Sequence, residues 1–215
     1  MDFNLNWCIY MSQKVSERAA AKKIKDKWKA KSWYKILTPE SLGLKEIAET
    51  PAETPEQVMG RVAETTLYNI NGDIKKEYVK LYFKVNKIDG NQAFTHFIGH
   101  DVTQDYIRRL VRRRRSRIDA IFPVTTSDGY TIRVKITAIA DKRINSSLKS
   151  AIRKKIIEAV LNNGTKMNFY EFVNYMLSDK IVQDIEKNVK SVYNIKKIEV
   201  RKSNLLSIPS QTQLT

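Results

Sequence analysis

Seven arginines fall within ten residues of the sequence, in the segment 108–117 that reads RRLVRRRRSR. A guanidinium group binds phosphate through two parallel N–H donors and also stacks on nucleobases, which a lysine ammonium cannot do. Like charges at this density repel one another, so the segment is either solvated or the binding site of a polyanion. We favour the second interpretation, because a merely solvated face does not require so many arginines.

The charge of the whole chain supports an anionic partner. Its 215 residues include 39 Lys and Arg against 23 Asp and Glu, a formal net charge of +16. An excess of this size destabilises a compact state unless a polyanion neutralises it. Nucleic acid is therefore the leading partner class, and an anionic membrane surface is the weaker one. The 42% of hydrophobic residues suffice for a folded core.

Two further segments carry basic residues in patterns that suit RNA. In residues 12–35, lysines alternate with Trp28, Trp33 and Tyr34, which offers charge and stacking faces together. Trp33 and Tyr34 are equally consistent with core packing, and Lys149 and Lys154 with a solvated helix face. The predicted RNA-binding residues are Lys22, Lys23, Lys25, Lys27, Trp28, Lys29, Lys31, Trp33, Arg108, Arg109, Arg112, Arg113, Arg114, Arg115, Arg117, Arg143, Lys149, Arg153 and Lys154.

Residues that could support catalysis are sparse. His96 and His100 lie four residues apart in HFIGHD, which on a strand is about 13 Å and too wide for one metal ion, so we interpret them as ordinary strand or loop histidines. Asp101 and Asp105 could form a magnesium-dependent nuclease pair, although Asp105 also suits the first turn of a helix. Cys8 is the only cysteine. We predict no catalytic residue, no metal site, no cofactor and no enzymatic activity.

The segments that must position the arginines read as strands. YVKLYFKV and YTIRVKITAIA alternate apolar and polar residues with a period of two. The dipeptides Asn71-Gly72, Asp89-Gly90 and Asp128-Gly129 separate successive strands and suit tight hairpins. Five strands joined in this way favour an antiparallel sandwich or closed barrel. We therefore predict an α+β fold with an antiparallel β-barrel core.

The arginine run lies between the third and fourth predicted strands. Tyr106, Ile107, Leu110 and Val111 form a helical apolar stripe, and Thr103 is a suitable N-cap. We predict an amphipathic helix over 103–117, inserted in the barrel core and docked by one face. Its arginines would then form a rigid row of phosphate-binding groups.

The chain after Asp141 predicts three helices and one strand. Asn168 and Glu171 have the spacing of a capping box, and NIKKIEVRK alternates as a strand does. We divide the chain into a basic extension (1–37), a Pro- and Glu-containing connector (38–57), the barrel core (58–141), a C-terminal helical and α/β part (142–202) and a loose tail (203–215). No apolar run approaches the roughly 18 residues of a membrane span, so we expect a cytoplasmic protein without membrane contact.

The residues alone indicate an RNA-binding protein, because no helix-turn-helix or zinc finger is visible to enter a DNA groove. Seven short sequence motifs indicate a closer resemblance. In chain order they are DKWKAKSWYKI, GRVAETTLY, YVKLYFKV, FIGHD, TTSDGYTIRVK, RINSSLKSAIRKKI and IEVRKSNLL. Together they resemble the S3Ae (eS1) family of small-subunit ribosomal proteins in its archaeal form. The resemblance runs from about Lys25 to Leu206.

The resemblance implies a structural component of the small ribosomal subunit, present in one copy and bound to rRNA and neighbouring proteins on the platform. That position is near the mRNA exit and the 3′ end of the rRNA. It also implies a β-barrel core with a smaller α/β part. A non-ribosomal RNA chaperone or translation-associated factor is the alternative. Residues 1–10 have no counterpart in the family pattern, whereas Met11-Ser12 resembles a family start, so an upstream mis-assigned start codon is a hypothesis.

Overall fold

The computed structural model describes residues 28–29 and 31–209, which form an α+β structure built on one eight-stranded sheet. The strands are β1 (Ser32–Leu37), β2 (Glu46–Ala52), β3 (Val62–Thr66), β4 (Val79–Asp89), β5 (Gln92–Val102), β6 (Ser116–Thr125), β7 (Thr131–Ala140) and β8 (Lys197–Ser207). The α-helices are α1 (Leu67–Asn71), α2 (Gln104–Leu110), α3 (Ser146–Gly164), α4 (Phe169–Leu177) and α5 (Lys180–Lys190). Short 3₁₀ helices cover Glu40–Leu42, Pro55–Gln57 and Ile74–Lys76.

Strand β5 is the junction of the sheet. It pairs along its length with β4, in parallel with β1 through residues 92–94, and antiparallel with β8 through residues 99–101. From β8 the sheet continues through β7 to β6, and from β1 it continues to β2. Within the described residues, β2, β3 and β6 each have one partner strand, so the sheet is open.

The predicted closed barrel is therefore wrong, although the α+β class is confirmed. One edge of β5 is shared by β1 and β8, so the sheet branches there. One branch continues to β2 and the other through β7 to β6, and within the described residues these edge strands do not pair with each other. The edge strand β6 also packs against α3, where Arg153 Nε donates a hydrogen bond of 2.9 Å to the Asp119 carbonyl. A side chain thus occupies part of the edge that closure would need.

Two of the three predicted hairpins are confirmed. Asp89 pairs with Gln92 across the turn at Gly90, and Thr125 pairs with Thr131 across the turn at Gly129. The hairpin at Asn71-Gly72 is wrong, because Asn71 ends α1 and the N–H of Gly72 donates to the Tyr68 carbonyl. Gly72 adopts a left-handed conformation (φ 78°). Glycine takes this conformation both at helix C-caps and in tight hairpins, so the Asn-Gly dipeptide does not distinguish a helix end from a hairpin.

The predicted basic helix over 103–117 is also wrong in length. Thr103 is at the N-cap position, but α2 ends at Leu110 and Val111 is already extended. The chain turns through residues 112–115, and Ser116 begins β6. Residues 116–125 form a strand because they pair with β7 over ten consecutive residues. A helix continuing to residue 117 would lose the first of these backbone hydrogen bonds.

The C-terminal helices and the capping box of Asn168 and Glu171 are confirmed. The loose tail predicted from residue 203 is wrong for 203–207, which belong to β8. The predicted connector is not irregular throughout, because residues 46–52 form β2 and pair with β1. The division of the chain into five segments stays a prediction, and residues 1–27, 30 and 210–215 lie outside the described part.

The buried side chains form two clusters. The larger one joins β4 to β8 with all five helices and includes Phe83, Phe97, Ile136, Phe169 and Phe172. The smaller one lies between β1, β2, β3 and the far half of the β4–β5 hairpin; its members are Tyr34, Ile36, Ala52, Val58, Ala63, Val85 and Ala93. Strand β5 contributes to both clusters and connects them.

We predict that Gly99→Ala destabilises the protein by about 3 kcal/mol, because the new methyl group would lie 2.1 Å from the Ser203 carbonyl oxygen of β8. The matched control is Gly90→Ala, which has open space around it and loses about 1 kcal/mol through its left-handed backbone (φ 55°). Urea unfolding followed by circular dichroism compares the two variants. A smaller loss for Gly99→Ala than for Gly90→Ala would contradict the close approach of β5 and β8.

We also predict that stability falls as the pH drops below about 6.5, the ordinary pKa of histidine. Burial lowers the pKa of His100, which is 2% exposed, and also the pKa of His96. Below pH 6.5 these two histidines are protonated in the unfolded chain but stay neutral in the folded chain until a lower pH. Protonation therefore favours the unfolded state in this pH range. Urea unfolding at pH 7.5 and 5.5 measures the change, and the double variant H96Q/H100Q should reduce it. An equal change in that variant would contradict the assignment.

Candidate nucleic-acid interface

Two loops form a basic groove at one end of the β6–β7 hairpin. Because Ser116 pairs with Ala140, the chain enters β6 and leaves β7 at the same end of the ladder. The loop before β6 and the loop after β7 therefore lie side by side and enclose an open pocket of about 650 Å³. Its lining residues are Arg112, Arg113, Arg114, Arg115, Asp141, Lys142 and Arg143. Six cations thus share one surface with a single carboxylate.

The two loops are fixed to each other by specific bonds. The buried Ser116 hydroxyl accepts a hydrogen bond from the Ile144 backbone N–H at 2.9 Å. Asp141 Oδ1 lies 3.2 Å from Lys196 Nζ and 3.8 Å from Arg115 Nε. The hydrogen bond and charge of Lys196, with a smaller contribution from Arg115, hold the pKa of Asp141 below its usual range. The carboxylate therefore stays ionised and connects the arginine loop to Lys196, which directly precedes β8.

Arg114 is held in an unfavourable backbone conformation at the tip of the first loop. The Arg115 N–H donates to the Arg112 carbonyl at 3.3 Å, which closes a four-residue turn with Arg114 at its third position. Arg114 has φ 67°, a value that glycine adopts freely and that costs other residues roughly 1–2 kcal/mol. The turn therefore holds four consecutive arginines in a compact loop, which would allow several phosphates to be bound at once.

The structure separates the predicted arginines into exposed and internally bonded groups. Arg112, Arg113, Arg114 and Arg143 are exposed in the groove, and Arg108 and Arg109 are exposed on α2. In contrast, Arg117 Nε lies 2.9 Å from Asp119 Oδ1, and Arg153 bonds the carbonyl of the same residue. These two residues anchor β6 and α3 and are less available to a partner.

The other basic residues fall around or away from the groove. Lys154 is exposed and Lys149 half-buried on α3, which begins just after the second loop. Sequence reasoning missed Lys142 in the groove and Lys196 beside Asp141. Lys142 could have been found from its place beside Arg143 in DKR, whereas Lys196 is more than fifty residues away in sequence. Lys22, Lys23, Lys25 and Lys27 lie outside the described residues.

The aromatic side chains before the groove form a second, separate surface. Tyr34 packs in the smaller cluster, but Trp28 and Trp33 are 61% and 53% exposed and meet edge to face with 6.4 Å between ring centroids. Lys31 Nζ lies 4.8 Å from the centre of the Trp28 ring, while Lys29 belongs to the same segment. Trp33 lies near the start of β5 and α2 follows its end, about 30 Å away along the strand.

The acidic and histidine side chains that could suggest catalysis are used internally. Asp101 Oδ2 accepts a hydrogen bond from Lys202 Nζ at 2.9 Å, and the exposed Asp105 lies 3.8 Å from Arg108. His100 donates through Nε2 to the Val200 carbonyl and accepts from the Ser203 hydroxyl, so the interpretation of strand histidines is confirmed. Residues 28–29 and 31–209 contain no cluster of three potential metal ligands. In the same residues, no helix is long and apolar enough to cross a bilayer.

Comparison with known proteins decides the family. The model of the Ribosomal S3Ae family matches residues 19–209. A relative from Desulfurococcus amylolyticus is 46% identical over 187 residues, which cover 87% of this chain and 88% of the relative. A relative from Saccharolobus solfataricus is 40% identical over 186 residues, covering 86% and 89% of the two chains. The chain belongs to the Ribosomal S3Ae family. Both relatives bear the name small ribosomal subunit protein eS1.

Membership of the Ribosomal S3Ae family confirms the resemblance read from the sequence, in its archaeal form. Its members are structural, non-enzymatic components, so the nuclease alternative built on Asp101 and Asp105 is withdrawn. The match begins after residues 1–10 and therefore leaves the hypothesis of a mis-assigned start codon as it stood.

We predict that Arg114→Gly stabilises the free protein by about 1 kcal/mol, because glycine relieves the left-handed strain of the turn. Thermal unfolding measures the change, with Arg113→Gly as the control. Arg113 does not have a positive φ, so there the added freedom of the unfolded chain should lower stability. A loss of stability in Arg114→Gly would contradict the turn geometry.

Proposed function

We propose that this protein is an rRNA-binding structural constituent of the small ribosomal subunit and that the groove of Arg112–Arg115, Lys142 and Arg143 is its principal rRNA contact. The observation that carries the proposal is the juxtaposition of these six cations around one carboxylate, which Arg115 and Lys196 already neutralise. Membership of the Ribosomal S3Ae family supports the same conclusion. The protein acts by neutralising and holding folded rRNA, which contributes to translation.

The groove suits the backbone of RNA better than its bases. A-form RNA presents phosphates and 2′-hydroxyls across a wide, shallow minor groove, whereas its major groove is too deep and narrow to be read. Guanidinium groups on a fixed turn can bind neighbouring phosphates without reading sequence. Arg108 and Arg109 on α2, which precedes the first loop, and Lys154 on α3, which follows the second loop, are exposed and add basic groups to the elements next to the groove.

The resemblance supplies the finer placement that we propose. It puts the protein on the platform of the cytoplasmic small subunit, in one copy, near the mRNA exit and beside other small-subunit proteins. The alternative is a non-ribosomal RNA chaperone or translation-associated factor with the same basic groove. Quantitative mass spectrometry of native extract across a sucrose gradient separates the two, because a constituent remains at one copy per small subunit at high salt. A chain found mainly in light fractions would favour the alternative.

We predict that Arg112→Gln with Arg113→Gln weakens binding to small-subunit rRNA at least tenfold at moderate salt and lowers incorporation into subunits. Each lost phosphate contact should reduce the slope of log affinity against log salt by about 0.7 to 0.9. Both side chains are exposed, so the fold should not change. Filter binding over a salt series and in vitro subunit reconstitution provide the measurements.

The matched control for this pair is Lys180→Gln with Lys190→Gln, which removes the same charge from the exposed surface of α5. Long-range electrostatics alone would weaken RNA binding equally in both double variants. The proposal requires a clearly larger effect at Arg112 and Arg113. Equal effects would refute the groove as the interface and leave only the net charge as the cause of binding.

A further inference from the structure

The outer face of β1 and β2 has a charge that differs from the rest of the molecule. Residues 28–66, which we call the N-terminal unit, contain six acidic and five basic residues in a chain of net charge +16. All six acidic residues are exposed; they are Glu40, Glu46, Glu49, Glu53, Glu56 and Glu64. The positive charge that suits RNA is therefore carried by other parts of the protein.

The strand register puts an exposed tryptophan between two of these carboxylates. Trp33 lies opposite Pro51, and Lys35 lies opposite Glu49, on the face that points away from the smaller core cluster. The same register, continued by one residue beyond Ser32 and Ala52, brings Glu53 opposite Lys31. Diagonal neighbours on one face of a sheet are about 7–8 Å apart, so Glu49 and Glu53 flank the Trp33 ring.

The lysines on this face are already engaged within the protein. Lys35 Nζ lies 3.1 Å from Glu46 Oε2 and 3.8 Å from Glu49 Oε1, so one cation is shared between two carboxylates. Lys31 Nζ lies over the Trp28 ring. Arg61 is engaged as well, because its guanidinium donates to the Thr50 hydroxyl, the Pro51 carbonyl and the Gln57 carbonyl. Within the described residues no ion pair engages Glu53, and Glu49 shares the single cation of Lys35 with Glu46, so the carboxylates diagonal to Trp33 disfavour a phosphate there.

Exposed apolar side chains accompany the carboxylates. Trp28 and Trp33 are 61% and 53% exposed and contact each other on this face, and Leu44, Met59 and Val62 elsewhere in the N-terminal unit are also more than 40% exposed. Apolar surface bordered by charge is typical of a protein–protein interface, in which tryptophan and methionine are enriched. The Lys31–Trp28 contact also shows, within the same molecule, how a cation binds these rings.

We propose that the outer face of β1 and β2 binds a Lys- or Arg-rich segment of another protein, with a cationic side chain over Trp33 and paired with Glu49 and Glu53. The proposal does not depend on RNA binding by the arginine groove, which lies near the other end of β5. It changes the expected partner of Trp33 from a nucleobase to a protein cation. The surface would let one protein contact rRNA and a basic neighbour at the same time.

A labelled nona-arginine peptide tests the chemistry with the full chain. Fluorescence anisotropy at low salt should show binding that Trp33→Ala and the pair E49Q/E53Q each weaken about three- to tenfold. The control pair E158Q/E186Q removes the same charge from exposed glutamates on α3 and α5 and should change affinity little. Equal losses in both glutamate pairs, or no loss in either, would overturn the proposal.

Photo-cross-linking tests the natural partner. Small subunits carrying Trp33→p-benzoylphenylalanine are irradiated, and the product is sequenced by mass spectrometry. We expect a Lys- or Arg-rich protein segment, in a yield that E49Q/E53Q reduces. A product with rRNA, a product with an acidic or neutral segment, or no product would each refute the proposal. Because R112Q/R113Q should leave this product unchanged in assembled subunits, failure here is distinct from failure of the groove.

Discussion

The close approach of β5 and β8 is the constraint on which the rest of the structure depends. At Gly99 the two backbones come so near that even a methyl group would meet the Ser203 carbonyl. The next residue, His100, is buried and bonds Val200 and Ser203 through both ring nitrogens. This junction brings β8, the last strand of the described residues, into the middle of the sheet, between β5 and β7. Within the described sheet, this junction is what connects the β6–β7 hairpin to the β4–β5 hairpin by backbone hydrogen bonds.

The arginine groove follows from that arrangement in two steps. The β6–β7 ladder brings the ends of both strands together, so the loops that carry Arg112–Arg115 and Lys142–Arg143 become neighbours. Lys196, just before β8, then bonds Asp141 and holds the second loop against the sheet. Rigid placement matters because a preorganised cation loses less conformational entropy when it binds phosphate. The groove is thus a product of the sheet, and not of a single helix.

The molecule separates its charges along β5. The groove and α2 lie near the C-terminal end of this strand, while the N-terminal unit with its exposed glutamates lies near the other end. Such a separation gives one protein two surfaces of different charge, which is why we propose a polyanion as the partner of one and a polycation as the partner of the other. A structural component of a ribonucleoprotein particle benefits from both, because it must contact RNA and neighbouring proteins together.

The sequence by itself determined the properties that depend on local pattern and on composition. The charge, the arginine run, the hairpins at Gly90 and Gly129, the capping box of Asn168 and Glu171 and the family could all be read from consecutive residues. The length of α2 could not, because the helical apolar stripe from Tyr106 to Val111 leads directly into the arginine run, which contains no residue that marks the end of a helix before β6 begins at Ser116. Only the ten-residue ladder with β7 decides for the strand.

Only the tertiary structure decided which distant residues meet. The open sheet, the place of β8 and the pairing of Lys196 with Asp141 depend on contacts between residues far apart in sequence, which no local periodicity encodes. The surroundings of Trp33 also depend on such contacts. The lysine-rich segment around it suggested stacking on RNA, but the register of β1 against β2 puts Glu49 and Glu53 diagonally beside it. Side-chain type is a local property, whereas the electrostatic environment of a side chain is set by the neighbours that folding supplies.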